Sequence, residues 1–152
     1  MRRLNGFMAG HAVAAVCLIS DQLSKWLARD YLADASFNFG LFRFDLVFNT
    51  GAAYGLFSGS TSLLLWIGVG VIFYLIVSMK AMTHHFFEMI GYGFILGGAM
   101  GNTSDRFFFG RVTDFINIHI IPVFNLADVY LNIGILLIIL HVVLYGRRQS
   151  PH

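Results

Sequence analysis

Apolar residues in this chain come in long unbroken runs, not in the narrow stripes of a helix that faces water on one side. Runs at residues 8–28, 61–79, 86–106 and 127–146 are each about the length a helix needs to cross a bilayer, ~20 residues. The pattern predicts a mainly α, integral membrane fold of four transmembrane helices with both chain ends on one side. A cleaved leader is the alternative for the first run, because Arg2 and Arg3 precede it and Ala33-Asp34-Ala35 has small-x-small spacing. Asp21 and Lys25 interrupt the run well before that point and argue for a retained span.

Between the first two runs the period changes. Phe42, Phe44, Leu46 and Phe48 alternate with Arg43, Asp45, Val47 and Asn49, the period of two of a half-buried strand. A small β platform over about residues 36–57 is expected on the outer bilayer face. The Asn49-to-Gly55 stretch that follows is rich in small residues that allow close backbone approach, so it either lines a groove or simply turns the chain into the second span. In the third run Gly93, Gly97 and Gly101 recur every four residues, a stripe on which another helix can lie close. The same spacing reaches Asp105, while Gly98, Asn102 and Arg106 form the adjoining stripe, so this polar end is expected inside the bundle. The second run carries no ionisable side chain and reads as a lipid-facing helix.

Composition agrees with membrane residence: 57% of residues are hydrophobic, 12% are charged, and the mean hydropathy is +0.72. A net charge of +2, scattered along the chain, gives no basic surface for nucleic acid. Lys and Arg divide equally between the two sides, so their number does not orient the protein. Arg2, Arg3, Lys80, Arg147 and Arg148 have only Glu88 near them, whereas Lys25, Arg29, Arg43, Arg106 and Arg111 share their side with every aspartate. The first group is read as cytoplasmic. Cys17, the single cysteine, lies in an apolar run and is expected to be a buried free thiol.

Two constellations could carry chemistry. Asp21 and Lys25 are one helical turn apart in the first span, where charge is costly, and read either as a neutralising ion pair or as substrate contacts. Ser24 and Lys25 point about 100° apart and do not form a nucleophile pair. Asp114 and Asp128 stand at interface depth, fourteen positions apart with Pro122 between them, enough chain to turn back and bring the carboxyls together. Two close carboxylates share one proton, so one can activate water while the other donates to a scissile carbonyl. The competing readings are a capping box, Asn125-x-x-Asp128, and a loop carboxylate at Asp114 paired with Arg111 or Arg106. Spacing leaves these readings open.

Ser58 with His141 is the best serine-peptidase pairing available, but their depths disagree: His141 stands thirteen residues from Asp128, about 20 Å along a helix. His84, His85 and Glu88 lack the spacing of a zinc pair. A proton-coupled transporter would also bury several acids, yet the chain has no internal repeat and its acids gather at one end.

Five blocks in order resemble the lipoprotein signal peptidase, or signal peptidase II, family over essentially the whole length. They are Asp21-Gln22-Leu23-Ser24-Lys25, Asn49-x-Gly51-Ala52-Ala53-Tyr54-Gly55, Gly97 to Arg106, Val112-Thr113-Asp114-Phe115-Ile116 and Phe124-Asn125-Leu126-Ala127-Asp128. The resemblance implies an aspartic endopeptidase, multi-pass in the bacterial inner membrane. Such an enzyme removes signal peptides from prolipoproteins by cutting before the diacylglyceryl-modified cysteine. It implies Asp114 and Asp128 as the catalytic pair, and Asp21, Lys25, Asn49, Gly51, Asn102, Arg106 and Asn125 as substrate-binding or dyad-supporting residues. It further implies a periplasmic site, cytoplasmic termini, no metal or other cofactor, and no partner beyond substrate and membrane lipid. Residues 1–152 are expected to form a single membrane domain acting as a monomer. Tyr54 departs from the family's usual Phe, a mild change at an interfacial position.

Overall fold

A computed structural model describes residues 2–51, 57, 59–81 and 86–146. Residues 52–56 with Tyr54, and Ser58, His84, His85, Arg147 and Arg148, lie outside the described residues. The chain forms helices α1 (Arg2–Tyr31), α2 (Thr61–Ala81), α3 (Phe86–Phe109) and α4 (Leu126–Gly146), with strands β1 (Phe37–Asn38), β2 (Arg43–Asn49) and β3 (Val112–Asn117). Three helical stretches, Gly6–Tyr31, Thr61–Lys80 and Leu126–Leu144, are long and apolar enough to cross a membrane. α3 is long enough at 24 residues, but its glycines and polar end lower its hydropathy.

That composition follows from α3's place at the centre of the bundle, packed against each of the other three helices. The glycine stripe faces α1. A Cβ on Gly93 would strike the backbone of Gly10, one on Gly97 would lie 2.7 Å from the Ala14 carbonyl oxygen, and one on Gly101 would strike the Asp21 carboxylate. Cys17, buried as expected, is the side chain against Gly97. On the other side Gly98 meets Ala127 and Leu131 of α4, and Gly91 meets Gly134. The stripe thus serves contacts within the chain. Gly97→Ala is expected to destabilise the fold by about 1–3 kcal/mol, because backbone stands where the methyl would go. A lower unfolding temperature in detergent checks this; an unchanged one would mean the helices separate at little cost.

The three strands form an antiparallel sheet in the order β1-β2-β3. It sits on the end of α1 through Phe44, Leu46, Phe115 and Ile116 against Ala28, Leu32 and Leu126. The alternation in the sequence locates β2, but a bulge between Phe44 and Val47 inserts one extra residue against β3 and shifts the phase. Phe48 therefore stays exposed beneath the Arg111 guanidinium, 3.6 Å from ring centre to Cζ. β3 falls in what the sequence reading treats as a connection. Its partner strand is more than sixty residues away, and no local pattern signals that pairing.

Candidate active site

Asp114 is carried by β3 and Asp128 by the first turn of α4, and both line a cavity of about 620 Å³ together with Asn49, Gly51, Asn102 and Arg106. The far wall is Ile121 to Phe124, and Val129, Asn132 and Ile133 continue it down α4. Register and capping bring the two carboxylates to one place. β3 pairs with β2, and a bridge from Ile116 to Phe124 folds the loop back so that α4 starts beside β3.

Each carboxylate oxygen accepts one hydrogen bond from a fixed donor. Asp114 Oδ1 accepts from Asn125 Nδ2 at 2.6 Å and Oδ2 from Asn49 Nδ2 at 3.0 Å. Asp128 Oδ1 accepts from Asn102 Nδ2 at 2.8 Å and Oδ2 from the Asn125 amide at 3.1 Å. The donors are held in turn. Asn49 Oδ1 accepts from the Gly51 amide, a local turn that fixes the asparagine, and the Gly51 carbonyl accepts from Arg106 Nη2. Asn102 Oδ1 accepts from Lys25 Nζ at 2.9 Å and from Asn125 Nδ2 at 3.1 Å, so its amide nitrogen can only face Asp128. Asn125 Oδ1 accepts from the Asp128 amide. The capping box expected of Asn125 and Asp128 is present and reciprocal, and it is the same contact that orients both groups toward the cavity.

Asp114 is 2% exposed, and burial is the main reason its carboxyl rises to about 6. The Asn49 bond opposes the rise, nearby Asp128 adds to it, and Asn125 and Lys25 oppose it. Among the described residues Asp114 forms no salt bridge with Arg111 or Arg106, the partners proposed for it as a loop carboxylate: Arg111 stacks on Phe48, and Arg106 reaches Gly51. Arg106 Nε is buried and makes no hydrogen bond among the described residues.

Behind the cavity lies a charged layer. Lys25 and Asp21 form the i,i+4 pair at 2.9 Å, both fully buried, and Asp21 Oδ1 also accepts the Ala127 amide at the start of α4. Asp105, also buried, accepts the Thr113 amide at 2.8 Å, directly before Asp114 in the chain, and lies 3.6 Å from Arg29. Arg29 donates to Thr113 Oγ1 as well. Sequence reasoning gave no role to Arg29, to Thr113 or to Gln22, whose Nε2 donates to Asp21 Oδ2 and to the Gly101 carbonyl. The four-residue period Asp21, Lys25, Arg29 was the available signal. Ser24 donates to the Asp21 carbonyl, away from Lys25. Asn132 was also missed, although it stands one turn after Asp128. His141 lies 3.9 Å from Glu88, far along α4 from the cavity.

Four helices with a sheet over one end, and paired carboxylates beneath it, describe a membrane-embedded enzyme, and comparison with solved structures gives the same class. A bacterial membrane enzyme solved by the in meso method at 2.3 Å resolution superposes with a TM-score of 0.85 at 27% identity, covering 94% of this chain and 92% of that one. A second, at 1.9 Å resolution, gives 0.76 at 28% identity over 88% and 91%. The family model described as Signal peptidase (SPase) II matches residues 13–144, and the chain belongs to that family of membrane peptidases. Among curated relatives, the lipoprotein signal peptidase of Microcystis aeruginosa is 40% identical over 141 residues, 84% of this chain and 87% of that protein. That of Gloeothece citriformis is 42% identical over 135 residues, 84% of each.

Proposed function

We propose that this protein removes signal peptides from prolipoproteins by cutting before the diacylglyceryl-modified cysteine, with Asp114 and Asp128 activating the attacking water. The single observation that carries the mechanism is the pair of carboxyls on one cavity, each held by fixed amide donors, with a cation alongside. A group that must be protonated is supplied by Asp114, whose carboxyl rises to about 6. Asp114 donates to the scissile carbonyl oxygen, and Asp128 takes a proton from water as it attacks the carbonyl carbon. Arg106 borders the cavity, and its guanidinium charge can stabilise a substrate carbonyl or the developing negative charge. Collapse of the tetrahedral intermediate breaks the C–N bond as the cysteine nitrogen takes the proton held by Asp128, and the re-forming carboxyl returns a proton to Asp114.

In this reading α3 is the fourth span, residues 1–152 form one membrane domain, and the sheet lies on the periplasmic face of the inner membrane with both termini cytoplasmic. Asp21, Lys25, Asn49, Gly51, Asn102 and Asn125 support the dyad, while substrate and lipid are its partners. A copy number of one is part of the proposal, since the glycine stripe is used within the chain.

The test is cleavage of a purified prolipoprotein with and without its diacylglyceryl group. The lipidated form is expected to be cut immediately before the cysteine and the unlipidated form left intact. Across a pH series, kcat/KM is expected to fall as pH rises through about 6, because the reactive form carries the proton that Asp114 loses there. A rate that climbs through the same window would assign the proton wrongly, and equal cleavage of both substrates would remove the lipid from the specificity.

A further inference from the structure

The cavity extends past the carboxylates down α4 to Val129, Asn132 and Ile133. Asn132 is out of place there. It is exposed, and the exposed neighbours Ile133, Ile135 and Leu136 are all apolar. A polar side chain at membrane depth ordinarily faces a partner helix or a wet cavity, because an amide in hydrocarbon leaves its donors and acceptor unmet. Asn132 Nδ2 spends one hydrogen on the Asp128 carbonyl, at 2.8 Å. Among the described residues its second amide hydrogen and its Oδ1 make no hydrogen bond. That bond to the preceding turn anchors the amide plane, so the remaining donor is held at the cavity mouth instead of swinging freely.

Position sets what this donor can meet. Asn132 stands four residues beyond Asp128 on the same helix, about 6 Å deeper along its axis. With a scissile bond at Asp114 and Asp128, the modified cysteine is the first residue after the cut. Its thioether-linked glyceryl group then points down toward the hydrocarbon. The two ester carbonyls of that group are acceptors without donors at this depth, and Val129, Ile133 and Ile121 offer apolar wall to the chains beyond them.

We propose that Asn132 is a substrate-recognition residue that donates a hydrogen bond to a glyceryl ester carbonyl of the lipidated cysteine. This rests on the prolipoprotein reading above and adds to it a contact that distinguishes ester-linked from ether-linked lipid. The experiment uses the full-length enzyme and one prolipoprotein peptide carrying either a diacylglyceryl or a dialkylglyceryl thioether, the second lacking both carbonyls. The readout is the ratio of kcat/KM for ester over ether, which does not depend on how much of a preparation is folded. The parent is expected to favour the ester, and Asn132→Leu to lower the ratio roughly five-fold, the size of one neutral hydrogen bond, through KM on the ester substrate. Asn132→Gln, which keeps an amide, is expected to retain part of the preference. A parent without ester preference, or a ratio unchanged in Asn132→Leu, overturns the assignment and leaves Asn132 as a helix-stabilising side chain. If the parent cleaves neither lipidated peptide, the prolipoprotein reading itself fails and this inference falls with it.

Discussion

Asp114→Asn and Asp128→Asn are each expected to lower kcat by about 10²- to 10⁴-fold, the range removed with a general acid or base, and the double variant is expected to be little worse than either single one. Folding is the complication, because both oxygens of each carboxylate already accept hydrogen bonds. An amide at position 114 must point its NH₂ at the NH₂ of Asn49 or Asn125. Neither can turn away freely: Asn49 Oδ1 is occupied by the Gly51 amide, and Asn125 is held by Asn102 and Asp128. Some stability is therefore lost with the charge, about 1–3 kcal/mol for a buried donor left unmet. The double variant Asn49→Asp with Asp114→Asn restores an acceptor opposite a donor without changing the net charge. It should regain stability and remain inactive, since the carboxyl no longer stands in β3. Recovery of near-parental cleavage in that double variant would show that position 114 needs no carboxyl, and the dyad would be misassigned.

Lys25→Met is expected to cost about 3–5 kcal/mol of stability, the range for breaking a buried pair from one side. Lys25 is fully buried, and its ammonium serves Asp21 at 2.9 Å and Asn102 at 2.9 Å, with Asp105 at 3.9 Å. Without it Asp21 is a buried carboxylate with no cation, retaining the Ala127 amide and Gln22 as donors. Adding Asp21→Asn removes the stranded charge while keeping an oxygen for the Ala127 amide, so much of the stability should return. Cleavage should not return in proportion. Asn102 then keeps only Asn125 of the two donors to its Oδ1, so the amide that faces Asp128 is held less firmly. Unfolding temperature and kcat measured on the same preparations separate the two effects. A Lys25→Met protein as stable as the parent would mean that this buried pair contributes nothing to the fold.

Both expectations depend on asparagines more than on the charged residues, and the asparagines are where sequence and structure divide the information. The helices were legible because a bilayer-length apolar run has few alternatives. The glycine stripe was legible because its four-residue period survives into the packing of α3 on α1. Asp21 with Lys25 was legible for the same reason, as a pair within one helix needs only the helical repeat. The dyad residues were nameable by their family blocks, yet capping and catalysis remained rival readings of Asp128. In the structure Asp128 completes the cap with one oxygen and accepts from Asn102 with the other, so the cap leaves the carboxyl on the cavity and does not exclude the catalytic reading.

By itself the sequence determined the helical runs, the close-packing face of α3, the family and the residues that could react. Each of these rests on spacing within one element or on a string of adjacent residues. Tertiary structure alone decided that β3 exists, that β2 is bulged, and that Lys25 reaches Asp128 through Asn102. It alone put Asp105 behind Thr113 and Asn132 at the cavity mouth. The reason is physical: a hydrogen bond from an amide side chain is short and directional, so its partner is set by how elements far apart in the chain are docked to within an ångström. Periodicity along one element carries no record of that docking.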